Sequence, residues 1–330
     1  MLDTNLYDLI IIGGSAAATA AGIYAARRNL NFKIISKNFG GEVATSGEIA
    51  NWPGIIKTDG VTLAQQFRDH LESYGVQIEE GIWVEKITKQ DDGTFCITAK
   101  KNGQSAPIAG DKLSTSLAPT ALTCDYVTKT VIVATGVHPR ELDVPGEKEF
   151  RNKGVSYCTV CDGPLFASKT VATIGGGNSA LESALMMADI ANKVYVLNKN
   201  PEFKGEQMLV DNLKFKKNVE IIYGANTTQI IGSEFVTGLK YTDANGQERE
   251  LVVDGAFVHI GMLPNSDIVP PEVKKNQTGE IIVDKNCQTN VPGLYAAGDI
   301  TDVPFKQIVI AAGQGCCAVL NAVNYLNKLK

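Results

Sequence analysis

The sequence predicts an α/β chain built from two doubly wound domains with parallel sheets. Two observations support this fold class. The order strand, glycine turn, helix, strand runs from Tyr7 to Ser36, and the same order returns from Thr170 to Leu197. A chain of 330 residues also has room for two domains, at roughly 150 residues each. Because each repeat is the opening βαβ unit of a doubly wound sheet, we expect two dinucleotide-type domains.

The first repeat begins with a strand predicted over 7–12, a helix over 16–29 and a strand over 32–36. Residues 9–26 carry no charge, which is long enough to test as a membrane span or secretory signal. Small residues dominate this stretch, and acidic rather than basic residues precede it. We therefore expect a buried strand, turn and helix in a cytoplasmic protein without a membrane segment.

The first glycine turn is Gly13-Gly14-Ser15-Ala16-Ala17-Ala18. In the fingerprint G-x-G-x-x-G/A, the second glycine lets a pyrophosphate approach the backbone and the third allows close helix packing. Ser15 and Ala18 stand at these two positions, and the Ser15 hydroxyl is available to a phosphate at the helix N-terminus. On this match alone, an ordinary βα turn explains the motif equally well.

The second glycine turn follows a strand predicted over 170–174 and opens a helix that continues to 191. It matches the fingerprint at every position, with the residues Gly175, Gly176, Gly177, Asn178, Ser179 and Ala180. An acid at the end of the next strand, 193–197, would bind the ribose of NAD, and arginines would bind the 2′-phosphate of NADP. Asn198 and Lys199 stand there, so a decayed nucleotide site is the alternative.

The segment Cys158-Thr159-Val160-Cys161-Asp162 predicts redox chemistry. Two thiols three residues apart close a small disulfide ring with little rearrangement, and a helix N-terminus stabilises the thiolate. Asp162 is either a proton carrier during thiol exchange or a helix cap. A zinc site is disfavoured, because Cys316 and Cys317 are too close together to supply a second ligand pair. No metal is expected.

The other cysteines, at 96, 124, 287, 316 and 317, are expected to be reduced thiols in strands, strand ends or a small-residue helix. With 31 Lys and Arg against 36 Asp and Glu, the net charge is -5. Nucleic acid is therefore not an expected partner.

Strands are predicted over 81–98 and 124–135, separated by a long hairpin excursion over 101–123 that is rich in Gly, Ser, Thr and Pro. Near the C-terminus, Asp299 ends a strand, and a helix follows Lys306-Gln307-Ile308. A carboxylate at that strand end suits a polyol hydroxyl, although on spacing alone it is equally a solvated loop acid.

Five motifs, in this order, resemble the low-molecular-weight thioredoxin reductase family over nearly the whole chain. They are GGEVATSGEIANWPG (40–54), VIVATG (131–136), YCTVCDG (157–163), IGMLPN (260–265) and LYAAGD (294–299). The resemblance implies two Rossmann-like dinucleotide-binding domains, with a discontinuous FAD domain at 1–138 and 263–330. The NAD(P) domain, at 139–262, would be inserted into it and carry the redox cysteines. We also expect a homodimer.

The resemblance assigns three groups of site residues. The catalytic group is Cys158, Cys161 and Asp162. The FAD group is Gly13, Gly14, Ser15, Ala16, Ala17, Ser36, Gly40, Gly41, Glu42, Val43, Asn51, Gly298, Asp299, Lys306, Gln307 and Ile308. The nucleotide group is the turn 175–180 with Asn198 and Lys199. Which cysteine faces the flavin stays open.

The tract NKNPEFKGEQ (198–207) departs from the HRRxxxR pattern of NADPH-specific family members. Together with PFKQIVIAAGQG (304–315), it looks more like the NADH-dependent reductase component of alkyl hydroperoxide reductase. That component has an additional N-terminal thioredoxin-like domain. We expect this domain to be absent here, because the FAD motif starts at residue 13, and the disulfide substrate to be a separate protein.

The expected function is electron transfer from NADH, or less favourably NADPH, through FAD and the cysteine pair to a thioredoxin- or glutaredoxin-like protein. Three alternatives remain. A ferredoxin-fed flavin disulfide reductase would need no nucleotide, and a dithiol oxidase of the same fold would pass electrons to oxygen. A non-catalytic flavin-binding protein would have no use for the Cys-x-x-Cys-Asp segment.

Overall fold

The structure is a computed structural model that describes residues 5–46, 48–101 and 124–329. The chain divides into two compact units, one formed by Met1–Val137 with Pro264–Lys330 and the other by His138–Leu263. Both units are built on parallel strands, which confirms the predicted α/β class. The excursion predicted over 101–123 lies, from residue 102 onward, outside the described residues.

The strands are numbered in chain order. They are β1 (Leu6–Ile12), β2 (Phe32–Ile35), β3 (Glu48–Ile49), β4 (Thr58–Asp59), β5 (Ile78–Glu79), β6 (Ile82–Lys89), β7 (Phe95–Lys101), β8 (Tyr126–Val133), β9 (Val137–Pro139), β10 (Val155–Ser156), β11 (Thr170–Ile174), β12 (Lys193–Asn198), β13 (Val219–Tyr223), β14 (Asn226–Gly232), β15 (Val236–Thr242), β16 (Glu248–Val252), β17 (Gly255–Val258), β18 (Met262–Pro264) and β19 (Leu294–Ala296).

The α-helices are numbered in the same way. They are α1 (Ala16–Arg27), α2 (Gly41–Ala44), α3 (Gly60–Ser73), α4 (Thr159–Asp162), α5 (Asn178–Ile190), α6 (Gln207–Lys214) and α7 (Ile308–Lys328). A 3₁₀ helix, Gly163–Phe166, directly follows α4.

The first unit has a seven-stranded sheet in the order β5-β2-β1-β8-β7-β6, with β19 added on β8. The strands β2, β1, β8 and β19 run parallel. Helices α1 and α7 share one core through alanines such as Ala21 and Ala322. They approach closely at Gly315, where a Cβ would overlap the carbonyl oxygen of Ala17.

By length and composition, α7 is apolar enough to cross a membrane. Its residues Ala318, Val319 and Ala322 are nevertheless fully buried against the first unit's core. The uncharged stretch 9–26 forms β1, the first glycine turn and most of α1, as predicted.

The second unit has a five-stranded parallel sheet in the order β10-β17-β11-β12-β13 and a three-stranded antiparallel sheet, β14-β15-β16. In the parallel sheet, Ile174 of β11 pairs with both Leu197 of β12 and Val258 of β17. The C-terminal ends of these three strands therefore lie at one edge. That edge carries the second glycine turn, Asn198 and His259.

The single strand predicted over 81–98 is wrong, because the structure has two strands there. β6 and β7 pair antiparallel around a turn in which the Gln90 amide donates to the Thr94 carbonyl (2.8 Å). Asp and Gly favour such turns, because the Asp side chain can hydrogen-bond to the turn backbone and Gly adopts positive φ without steric cost. Gly93, at φ +85°, takes that conformation.

Two cysteines expected to be free thiols are joined in a disulfide, which corrects that expectation. Cys96 lies in β7 and Cys124 precedes β8, and their Cα atoms are 5.3 Å apart. The antiparallel pairing of β7 with β8, in which Cys96 faces Val127, brings them together. Cys287, Cys316 and Cys317 are free. Burial raises the pKa of the Cys287 thiol to about 12, so it stays protonated in the core.

Candidate redox site

The redox cysteines lie at the start of α4. Cys158 is the N-cap residue, and its disulfide with Cys161 joins Cα atoms 5.4 Å apart. The Cys161 amide donates to the Cys158 sulfur (3.2 Å), and the Cys158 amide donates to the Ser156 hydroxyl (3.0 Å). Cys161 is exposed and Cys158 is half-buried. The pair thus has a fixed backbone, a donor aimed at one sulfur and an accessible second sulfur.

Asp162 is the last residue of α4 and is half-buried. Its backbone amide donates to the Cys158 carbonyl (3.1 Å). The side chain makes no capping hydrogen bond to the following 3₁₀ helix. The Asp162 side chain therefore does not cap the helix that follows it.

Tyr157, directly before the pair, is tied to a buried carboxylate. The fully buried Glu147 accepts from the Tyr157 hydroxyl (2.7 Å) and from the Leu142 and Asp143 amides (2.7 Å each). Buried carboxylates need such partners, because an unpaired charge away from water is costly. Composition and spacing gave no signal for this contact, because the turn over 142–147 is what brings the carboxylate to Tyr157.

The second glycine turn has close backbone packing at Gly175 and an open backbone at Gly177. Gly175 has φ +144°, and a Cβ on it would overlap the His259 carbonyl oxygen. Gly177 is the N-cap of α5, and a Cβ placed on it would meet nothing within 4 Å. The backbone at Gly177 is therefore open to a phosphate at the helix N-terminus. Ala180 is fully buried, whereas Asn178 and Ser179 are exposed.

The tract after β12 folds back on this turn. The buried Asn198 donates to the Glu202 carbonyl (2.8 Å) and accepts from the Asn200 amide (3.2 Å). Asn178 and Glu206 exchange two hydrogen bonds, of 2.9 and 2.7 Å. The Asn198 side chain is thus used to shape the tract, and Lys199 is exposed beside it.

Acidic side chains add negative charge at this turn. Glu182, one turn into α5, has a raised pKa because of burial and the neighbouring Glu206 carboxylate. The tract 198–207 beside it contains no arginine.

In the first unit, the first glycine turn meets the residues predicted beside it. Gly13 has φ +138°, and a Cβ there would overlap the Ala134 carbonyl oxygen, which matches the arrangement at Gly175. The Gly40 amide donates to the Gly14 carbonyl (2.7 Å). The Ser15 hydroxyl donates to the Gly40 carbonyl (2.6 Å). This hydrogen bond lies within the protein, and the contact of the Ser15 hydroxyl with a phosphate stays a prediction.

The remaining first-unit candidates converge on the same turn. The Ser36 hydroxyl donates to the Asn38 carbonyl (2.6 Å) and lies against Gly14. Ala16 and Val43 share a core cluster against which Ile308 packs. Gly298 contacts α1 so closely that a Cβ would lie 3.3 Å from the Ala17 Cβ. The exposed Glu42 follows Gly41, whose φ is +52°.

Two polar pairs complete this group. The Asn51 amide donates to the Gln307 side-chain oxygen (3.3 Å). Lys306 donates to the Thr301 carbonyl (2.5 Å) and pairs with Glu280 (2.8 Å). Burial raises the pKa of the Asp299 carboxyl, and nearby Lys306 partly opposes this. Within the described residues, Asp299 has no hydrogen bond to its side chain, so this carboxyl is poised for an external donor.

Three residues beside the disulfide were missed from the sequence. Thr159, Ser183 and His259 form a hydrogen-bonded chain behind the Cys-x-x-Cys segment. They are separated by 24 and 76 positions in the chain, so no local motif links them. The topology of α4, α5 and β17 does.

Comparison with known proteins agrees with this geometry. A family model described as pyridine nucleotide-disulphide oxidoreductase matches residues 7–315. The F subunit of alkyl hydroperoxide reductase from Escherichia coli strain K12 is 40% identical over 330 residues, covering 99% of this chain and 59% of that protein. The chain thus spans about three fifths of the length of the curated relatives it matches.

Solved structures give the same fold. Thioredoxin reductase from T. acidophilum superposes with a TM-score of 0.82 at 36% identity, covering 98% of this chain and 99% of that one. The enzyme from Lactococcus lactis gives a TM-score of 0.84 at 28% identity with the same coverage. The two-domain Rossmann-like fold and the resemblance inferred from the five motifs are confirmed.

Proposed function

Because the chain belongs to the pyridine nucleotide-disulphide oxidoreductase family, we propose that it is a thioredoxin-disulfide-reductase-type flavoenzyme. Electrons pass from NADH, in preference to NADPH, through FAD and Cys158–Cys161 to a separate thioredoxin- or glutaredoxin-like protein. The observation that carries this proposal is the Cys158–Cys161 disulfide at the start of α4, in the same unit as an intact dinucleotide turn. We further propose that the protein is a cytoplasmic homodimer.

The first unit supplies the FAD site in this proposal. Asp299 supports it most directly, because a half-buried carboxyl without a hydrogen bond from the described residues suits a ribityl hydroxyl. The turn at Gly13 and Gly14 leaves no room for side chains and would hold the pyrophosphate. Asn51, Lys306, Gln307 and Ile308 would border the flavin ring.

The second unit supplies the nucleotide site. The open backbone at Gly177 and the start of α5 would hold the pyrophosphate. Asn198 and Glu206 shape the tract that would border the ribose, and no arginine within 198–207 is available for a 2′-phosphate. Lys199 and Lys204 are the cations in that tract that would oppose the preference for NADH.

When bound, the nicotinamide and flavin supply the hydride and electron-transfer chemistry. The chain's own work is thiol exchange. Two electrons and two protons convert the Cys158–Cys161 disulfide to a dithiol, and the α4 N-terminus stabilises the thiolate form. One thiolate then attacks the partner's disulfide, forming a mixed disulfide and releasing a partner thiolate. The second cysteine attacks that bond, which releases the reduced partner and restores Cys158–Cys161. Asp162 is positioned to exchange the protons.

Anaerobic mixing of the purified yellow protein with NADH, NADPH or reduced ferredoxin tests the electron donor. We expect NADH to bleach the flavin fastest. Each missing charge-assisted contact to the 2′-phosphate costs on the order of 1.5 to 3 kcal/mol, so kcat/KM should favour NADH by about tenfold or more. A kcat/KM for NADPH equal to that for NADH contradicts the preference. Protein that is colourless and cannot be reconstituted with FAD contradicts the proposed function.

A further inference from the structure

A chain of three hydrogen-bonded side chains begins at the residue that follows Cys158. The Thr159 hydroxyl, on the residue that follows Cys158, is 2.6 Å from the Ser183 hydroxyl and 3.0 Å from His259 Nε2. Thr159 and Ser183 are 5% and 4% exposed. Burial lowers the pKa of His259 to about 4, so the imidazole is neutral at neutral pH and the chain carries no charge.

The chain ties α4 to the two elements that carry the nucleotide turn. Ser183 belongs to α5, whose N-terminus is that turn. His259 follows β17, donates its backbone N–H to the Ile174 carbonyl (2.8 Å), and has its own carbonyl against Gly175. The redox helix is thereby fastened to the sheet edge by side chains, in addition to the backbone pairing of β10 with β17 just before Cys158.

α4 needs such an anchor because it has only four residues. A helix this short is not stable through its own hydrogen bonds, since nucleation costs more than one turn returns. We propose that Ser183 and His259 are positioning residues that hold Thr159, and with it the turn between the two cysteines, in the conformation that closes the disulfide ring. This inference rests on the proposed redox role of Cys158–Cys161.

The expected consequence is a shift in the thiol–disulfide equilibrium. Holding two thiols near each other raises the effective concentration of one at the other, which makes their disulfide harder to reduce. Loss of the anchor should therefore favour the dithiol. In glutathione buffers, each disulfide opened consumes two glutathione thiols and yields one glutathione disulfide.

The test equilibrates the full-length protein with glutathione buffers, alkylates free thiols and quantifies the Cys158–Cys161 peptide by mass spectrometry. Thr159→Val removes the hydroxyl at nearly constant size, and we expect the equilibrium to move roughly 3- to 10-fold towards the dithiol, the worth of one or two hydrogen bonds. Ser183→Ala should move it in the same direction. His259→Leu should also do so, while His259→Gln, which keeps a hydrogen-bonding group, should stay close to wild type.

Thr173→Val is the matched control. Thr173 is a fully buried threonine of β11 in the same unit, and its hydroxyl has no hydrogen-bond partner among the described residues. This change should leave the equilibrium unaltered.

If Thr159→Val and Ser183→Ala both give equilibria within twofold of wild type, the inference is overturned. The proposed function is not affected by that result. If Thr159→Val does not fold, Ser183→Ala and His259→Leu decide the matter. A wild-type Cys158–Cys161 pair that never exchanges with glutathione overturns both the inference and the proposed function.

Discussion

The two disulfides of this protein have nearly the same Cα separation, 5.3 and 5.4 Å, but opposite settings. Cys96–Cys124 bridges 28 positions, and Cys96 is 1% exposed within the sheet of the first unit. Cys158–Cys161 bridges three positions at the start of a short helix, with Cys161 exposed. The first bond staples two strand segments, whereas the second can open without disturbing a sheet.

The role of a disulfide is therefore indicated by its burial and its place in the fold, and not by its presence. A cysteine thiolate of this protein must reach the partner's disulfide in line with its S–S bond, so exchange requires access to a cysteine sulfur. Cys161 is exposed, and its amide donates to the Cys158 sulfur (3.2 Å), which would stabilise a thiolate there. Cys96 lies in β7 between β6 and β8 and is buried, while Cys124 is half-buried. We therefore propose electron transfer for Cys158–Cys161 and a structural role for Cys96–Cys124.

The largest expected effect separates the two bonds by activity. Cys158→Ser or Cys161→Ser should lower reduction of a thioredoxin-like disulfide protein by at least about 100-fold, because the exchange nucleophile or its resolving partner is gone. FAD should stay bound, and NADH should still bleach the flavin. The measurement is steady-state NADH oxidation coupled to the disulfide protein.

The matched variant is Cys124→Ser, which should keep turnover near wild type. The assignment fails if Cys161→Ser retains near wild-type turnover after Cys316 and Cys317 have also been replaced. It fails equally if Cys124→Ser and Cys161→Ser lose activity to the same extent.

Removing Cys96–Cys124 should lower the free energy of unfolding more than removing Cys158–Cys161, the reverse of their expected effects on activity. In the chain-entropy account, cross-links closing about 28 and about 3 residues contribute about 3.5 and about 2 kcal/mol to the free energy of unfolding. The double variant Cys96→Ala/Cys124→Ala should therefore unfold at lower urea than Cys158→Ala/Cys161→Ala. Circular dichroism during urea unfolding measures this difference, and equal midpoints would remove the structural distinction.

A smaller effect should mark the surroundings of Cys158–Cys161 through pH. The His259 pKa is about 4 in the folded protein, against an ordinary value of 6.5, because the ring is buried. Between pH 6.5 and about pH 4, His259 binds a proton in the unfolded chain but not in the folded chain. The free energy of unfolding therefore rises with pH across this window. Lowering the pH from 7 to 5 should cost the second unit about 2 kcal/mol.

Thermal unfolding of wild type and His259→Gln from pH 7 to pH 5 checks this expectation. The variant should lose less stability on acidification. Identical pH dependence in the two proteins would show that His259 is not the titrating group.

Local motifs predicted those elements whose structure depends on residues close together in the sequence. The strand and turn at 170–175 and the cysteine spacing 158–161 follow from period and spacing, and the structure places them as expected. The Asp91-Asp92-Gly93 turn was also visible in the sequence. The residues on both sides of this turn suit strands, so their pattern alone predicts one continuous strand.

Contacts between distant elements could not be foretold in the same way. Cys96 and Cys124 meet only because β7 and β8 pair in one register, and no spacing rule connects residues 28 positions apart. The Asn178–Glu206 pair and the Thr159–His259 contact likewise depend on how strands order within a sheet. The hydrogen bond between Ser15 and Gly40, which lie 25 positions apart, is a further contact of this kind.

In the proposed function, electrons from NADH reach Cys158–Cys161 and not Cys96–Cys124. The direct measurement is anaerobic reduction of the FAD-loaded protein with a slight excess of NADH, followed by alkylation of thiols under denaturing conditions and peptide mass spectrometry. We expect new label on Cys158 and Cys161 and none on Cys96 and Cys124. A bleached flavin with Cys158–Cys161 still oxidised, or equal labelling of both pairs, would contradict it.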